Sequence, residues 1–136
     1  MKSVLLWVPV LAHMTLIFTA SAVPGTQLPG HLWDKLVHFT VYGLLGIFFL
    51  IPLAGGRLTG VSLRTAAGAV LLSMIYGISD EWHQSFTPGR TPDPMDVAAD
   101  TLGAAIGVLG VLALVYGRTV MRPGAKGADR MEAGRR

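Results

Sequence analysis

Six of the eight acidic residues lie at or near one end of apolar segments, together with two of the four histidines. The group comprises Asp34, His38, Asp80, Glu81, His83, Asp93, Asp96 and Asp100. Carboxylates and imidazoles can exchange protons, hold an arginine, bind hydroxyl groups or ligate a metal ion. A charged side chain at the centre of a membrane helix costs about 2.5–3.5 kcal/mol, so such residues are candidates for a functional site.

The spacing of these residues places them on shared helix faces. Asp34, His38 and Tyr42 follow one another at intervals of four residues, so each lies only about 40° from the last around an α-helix. Gln84 follows Glu81 by three residues, which again predicts one face. Polar faces on different helices are therefore expected at the same depth.

A third polar face is continuous with a glycine stripe. Asp96, Asp100, Gly103 and Gly107 follow one track along a helix, with the carboxylates at one end and glycine below. Such stripes are typical of faces in close contact with neighbouring helices.

Arg90 lies in a connection that contains three prolines. We predict that this stiff segment holds Arg90 between Glu81 and Asp96. A guanidinium group in that position would bind a phosphate or a carboxylate in fork geometry.

Two other uses of the cluster remain open. In an enzyme, Glu81 or Asp96 would be the general base and His38 the acid, although the sequence has neither a G-x-S-x-G motif nor a P-loop. In a purely structural network, buried ion pairs would fix the register of the helices.

A metal site is the remaining chemical alternative. His38, His83, Glu81 and Asp96 have the donor atoms that zinc or manganese accepts. Their spacing is not diagnostic, and we predict no metal and no cofactor.

The segments that carry these residues are apolar enough for a membrane. The chain is 51% hydrophobic and only 14% charged, whereas soluble domains carry about 25% charge. Four windows approach the roughly 20 apolar residues that a spanning helix needs. They are residues 4–23, 36–53, 63–79 and 97–116. We predict an all-α integral membrane bundle of about four transmembrane helices in residues 1–117, then a basic, disordered cytoplasmic tail in residues 118–136.

The first window has a second interpretation. Lys2, an apolar stretch and the triplet Ala20-Ser21-Ala22 resemble a secretory signal with its cleavage site. The apolar stretch is longer than the usual 7–15 residues or so of a signal core, which favours a retained helix.

Lysine and arginine residues are concentrated on one side of the predicted bundle, and this predicts its orientation in the membrane. Nine of the eleven fall on one side, so both termini are expected to be cytoplasmic. Lys35 and Arg90 fall on the other side, where Trp33 and Trp82 mark the outer interface. We interpret Lys35 as an interface anchor and place His83 at the interface. This sorting favours membrane lipids over nucleic acid as partners.

Three motifs resemble the VanZ-like family, in that family's order. They are Asp34-Lys35-x-x-His38-Phe39-x-x-Tyr42, Asp80-Glu81-x-His83-Gln84-x-Phe86-x-Pro88-Gly89-Arg90 and Asp96-x-x-x-Asp100-x-x-Gly103. The resemblance implies a four-helix membrane protein of the bacterial cell envelope, and the family's namesake is associated with low-level teicoplanin resistance. The family usually has Asn at the position of Asp100, so Asp100 is expected to be protonated or paired with Arg90.

We therefore predict a multi-pass protein of the bacterial inner membrane with an outward-facing pocket for a polar or lipid-linked envelope component. The predicted ligand-binding residues are Asp34, His38, Tyr42, Glu81, Gln84, Arg90, Asp96 and Asp100. The alternatives are a hydrolase or transferase acting on a lipid-linked headgroup, with Glu81, Asp96 and His38 as catalytic candidates, and a non-catalytic structural partner of envelope complexes.

Overall fold

Helices form most of the chain in the computed structural model, which describes residues 2–24 and 31–121. They are α1 (Lys2–Leu5), α2 (Val8–Ser21), α3 (His31–Leu53), α4 (Leu63–Gln84) and α5 (Pro94–Val120). No strand occurs in either described range, which confirms the predicted all-α class.

At the predicted outer face the helices extend beyond the apolar windows. α3 and α5 begin earlier than predicted, and α4 ends later. The windows end where apolar residues end, but the polar residues continue the helical backbone hydrogen bonds. The Asp93 side chain caps α5 by accepting a hydrogen bond from the backbone N–H of Met95 at 2.9 Å. Asp34, Glu81 and Asp96 therefore all lie on helices.

The first and last predicted segments differ from the structure. A turn at Leu6 and Trp7 separates α1 from α2, which has Pro9 in its first turn. Proline has no backbone N–H, so it is tolerated there but not in a helix interior. At the other end, α5 runs through Val120, into the predicted tail, and residues 122–136 lie outside the described part.

Three stretches of the described chain are long and apolar enough to cross a membrane: Ser3–Ser21, Trp33–Leu53 and Pro94–Val120. α4 has the length but not the apolarity of the others, because small and polar residues occupy its buried side. Those residues are Ala66, Ala69, Ser73, Gly77, Asp80, Glu81 and Gln84. A fourth span and two cytoplasmic termini stay predictions.

The contact between α3 and α5 is the most extensive of the bundle. It is close because glycines lie on both sides of it. A Cβ atom at Gly103 would collide with the backbone of Phe39, and one at Gly107 would collide with the backbone of Gly43. The glycine stripe predicted from the sequence is thus a helix contact.

α2 packs on α3 and α4 through apolar side chains and two polar contacts. His13 Nε2 donates to the backbone carbonyl oxygen of Val41 at 3.0 Å, and the Tyr76 hydroxyl donates to that of Met14 at 2.6 Å. Within an apolar bundle, such bonds satisfy side chains that would otherwise be costly to bury.

Gly103→Ala should lower the thermal unfolding temperature of the protein in detergent, because the added Cβ meets backbone and not a movable side chain. Overpacking of this kind costs about 1–3 kcal/mol or more. Gly110→Ala is the matched control, since no atom of another element lies within 4 Å of its Cβ position. Equal unfolding temperatures for the two variants would contradict the close helix contact.

The predicted topology can be tested by labelling single introduced cysteines, because the chain has no cysteine of its own. Ser85 and Thr59 are exposed residues in the connections at opposite ends of α4. A membrane-impermeant maleimide should label Ser85→Cys on intact cells and Thr59→Cys only after lysis. The reverse pattern would overturn the orientation, and labelling of both on intact cells would overturn the fourth span.

Candidate functional site

The eight predicted ligand-binding residues lie together at one end of the bundle. α3, α4, α5 and the connection between α4 and α5 contribute them. Six are buried, while Asp34 and Arg90 are partly exposed. The residues form two sets of contacts, one between α3 and α5 and one around Arg90.

Lys35 links α3 to the start of α5. Its Nζ lies 2.7 Å from Asp93 Oδ2 and 2.8 Å from Asp96 Oδ1. The prediction that Arg90 lies between Glu81 and Asp96 is therefore wrong, because Lys35 pairs with Asp96. The interpretation of Lys35 as an interface anchor missed this role. The available signal was that Asp93 and Asp96 place two carboxylates at one helix start, and Lys35 is one of the two lysine and arginine residues on the predicted outer side.

His38 and Asp100 form the second link between α3 and α5. His38 Nδ1 lies 2.9 Å from Asp100 Oδ1, and Asp100 is fully buried. Asp100 was expected to be protonated or paired with Arg90, and the residue that it contacts is His38. A carboxylate on Nδ1 fixes the tautomer and the orientation of the ring.

Arg90 makes its contacts on the other side of the site. Nη1 donates to Gln84 Oε1 at 3.0 Å, Nε donates to the backbone carbonyl oxygen of Val23 at 3.4 Å, and Asp34 Oδ1 lies 3.8 Å from Nη1. Gln84 Nε2 in turn donates to Asp80 Oδ2 at 3.0 Å. A guanidinium group has five N–H donors, so Arg90 keeps donors for a ligand.

Glu81 fastens the end of α4 to the start of α5. Its Oε2 accepts a hydrogen bond from the backbone N–H of Asp93 at 2.8 Å. Its Oε1 is buried and has no hydrogen-bond partner among the described residues. Glu81 thus has a structural contact at the position where a general base was considered.

A cavity of about 160 Å³ opens between α2, α3 and α4. Five predicted residues line it: Asp34, His38, Tyr42, Gln84 and Arg90. Glu81, Asp96 and Asp100 do not. Asp80 also lines the cavity, although the sequence-based site omitted it; its position four residues before Gln84 was the available signal.

The apolar wall of the cavity includes Ile17 of α2 and Val37 and Val41 of α3. The same cavity therefore has charged groups on one side and hydrocarbon on the other. His83 lies elsewhere, with its ring stacked on Phe18 at a centroid distance of 4.1 Å. It does not line the cavity.

A family model described as VanZ/LLP1 matches residues 5–116 of the chain. The match extends over most of the length and confirms the resemblance carried by the sequence motifs. Comparisons with curated proteins and with solved structures find no match.

Lys35→Met and Asp96→Asn should be non-additive in the free energy of unfolding, measured in mixed micelles. Each substitution removes the same bond, so the pair should differ from the sum of the singles by about 0.5–3 kcal/mol. Lys35→Met combined with Arg64→Ala is the control and should be additive, because Arg64 lies at the opposite end of α4. Additivity of the first pair would show that the Lys35–Asp96 bond contributes nothing.

Proposed function

The chain belongs to the VanZ/LLP1 family, and from that premise we propose that its cavity binds a polar or lipid-linked component of the bacterial cell envelope. The protein would be a multi-pass protein of the inner membrane with the cavity open to the outer side. Three helices long and apolar enough to span a membrane support this location.

The observation that carries the proposal is the mixed lining of the cavity. Arg90, Gln84 and Asp34 offer donors and acceptors, while Val37 and Val41 offer hydrocarbon. A molecule with a polar headgroup and an apolar chain contains both kinds of surface. A soluble metabolite would gain little from the apolar wall, which α2 and α3 form within the bundle.

The size of the cavity restricts what it holds. Sites for whole small molecules have volumes of about 300–1,000 Å³, and this cavity has about 160 Å³. It would therefore take one group of a larger ligand, such as a phosphate or part of a sugar. The rest of the ligand would lie outside, along the apolar surface.

Arg90 would bind the anionic oxygen atoms of that group. Its contacts with Gln84 and the Val23 carbonyl oxygen fix the guanidinium while leaving N–H donors unused. Asp34 and Asp80 would accept hydrogen bonds from hydroxyl or ammonium groups of the same ligand. Carboxylates alone would repel a phosphate, so Arg90 is the residue on which recognition depends.

Teicoplanin susceptibility of a sensitive Gram-positive host should report on this binding. The wild-type chain is expected to reduce susceptibility, and Arg90→Ala should return it to the level of the empty vector because the anion loses its donor. Arg64→Ala, which removes an exposed arginine outside the cavity, should protect like the wild type. Protection by Arg90→Ala at matched membrane levels would contradict the proposed site.

The second candidate function is an enzyme that acts on the same class of ligand. One observation favours it: Asp100 holds His38 Nδ1, and Nε2 has no hydrogen bond with a described residue. In this alternative His38 would transfer the proton. Asp96 and Glu81 would not, because Lys35 binds the Asp96 carboxylate and the Asp93 backbone N–H binds that of Glu81. His38→Gln would then abolish turnover completely, whereas a binding site should be weakened only in part.

A further inference from the structure

Asp34, His38 and Asp96 converge between α3 and α5. One ligand atom of each, an imidazole nitrogen or a carboxylate oxygen, lies within 4.8 Å of the other two. Two ligands bound to one ion at about 2.1 Å lie at most roughly 4.2 Å apart, so a small torsional adjustment would suffice. We infer that these three residues form a binding site for a divalent transition-metal ion.

The donor atoms needed for such a site are available. Asp34 accepts no hydrogen bond from a described residue, and Nη1 of Arg90 lies 3.8 Å from its Oδ1. Lys35 bonds Oδ1 of Asp96, and no described residue donates to Oδ2. Asp100 occupies Nδ1 of His38, which leaves Nε2 for the metal.

Neighbouring residues orient these ligands. A metal-bound histidine usually donates its other ring N–H to a carboxylate, as His38 does to Asp100. Lys35 holds the Asp96 carboxylate in the same way from the other side. The ligands are thus positioned before any ion binds, which lowers the entropy cost of binding.

The charge balance of this end of the bundle also favours a cation. Its carboxylates are Asp34, Asp80, Glu81, Asp93, Asp96 and Asp100, and four of these side chains are buried. Among the described residues, Lys35 and Arg90 are the lysine and arginine that face them. Burying an unbalanced ion costs several kcal/mol, and a divalent cation would offset two of these charges.

A separate observation concerns the cavity that adjoins this site. The hydroxyl group of Tyr42 is buried, and it has no hydrogen-bond partner among the described residues. Tyr42 lines the cavity with Asp34 and His38, and its ring lies parallel to that of His38 at a centroid distance of 6.2 Å. A ligand oxygen that enters the cavity beside the metal would give this hydroxyl a partner.

The donor set indicates which metals fit. One imidazole and two carboxylates suit Zn²⁺ or Mn²⁺, whereas Ca²⁺ takes only oxygen ligands in larger number. Three protein ligands leave a coordination position open, as in metal sites that bind an exogenous oxygen. The sequence-based alternative used His83 and Glu81, but His83 stacks on Phe18 and Glu81 bonds the Asp93 backbone.

Metal content tests the inference without reference to the envelope ligand. The full chain, purified with a tag that has no histidine, is dialysed against Zn²⁺ or Mn²⁺ and its metal is counted by mass spectrometry. The wild type should retain a stoichiometric amount of one ion, and Asp34→Asn, His38→Gln and Asp96→Asn should fall to background. His83→Gln and Glu81→Gln are matched controls that should keep the metal.

Asp34→Asn is the decisive variant, because Asp34 is partly exposed and loses no hydrogen bond, so the fold should survive. The site would be overturned by a folded Asp34→Asn protein that binds the metal with wild-type affinity. A wild type that retains only background metal, or a His83→Gln protein that loses its metal, would also overturn it. Asp100→Asn should weaken the metal affinity about 10–100-fold, because Asp100 orients the His38 ring. The teicoplanin susceptibility assay of Arg90→Ala does not measure metal content. Failure of the proposed envelope-ligand site can therefore be distinguished from failure of the metal site.

Discussion

The close approach of α3 and α5 is the constraint on which the site depends. Gly43 on one helix and Gly103 and Gly107 on the other let the backbones touch, where any side chain would separate them. The polar pairs between these two helices lie directly above that contact. Asp100 and Gly103 are less than one helical turn apart, so the same packing that brings the glycines together brings Asp100 to His38.

Two successive links follow from this contact. Lys35 and His38 lie three residues apart on α3, and their partners Asp96 and Asp100 lie four residues apart on α5. The outer link is partly exposed and uses a lysine, whose charge water can still reach. The inner link is buried and uses a histidine, which can be neutral or charged. The polarity of each pair thus follows its depth in the bundle.

α3 carries the site on two sides at once. One side meets α5 through Lys35 and His38, and the other faces the cavity through Val37 and Val41. Asp34 lies between the two sides, because it lines the cavity and also comes close to Asp96 of α5. His38 belongs to both sides, because its Nδ1 bonds Asp100 while its ring lines the cavity. A ligand bound in the cavity would therefore influence the contact between α3 and α5. In turn, that contact fixes the orientation of His38, which the ligand would meet.

The sequence by itself determined the helical class, the apolar segments and the gathering of acidic residues at one end, since these follow from composition and from spacing along single helices. It also placed Gly103 and Gly107 in a helix contact. It did not determine which cation meets which carboxylate, and so it placed Arg90 beside Asp96, where the structure has Lys35. That choice depends on the rotation of α3 relative to α5. Backbone contact at the glycines sets this rotation, and only the tertiary structure decides it.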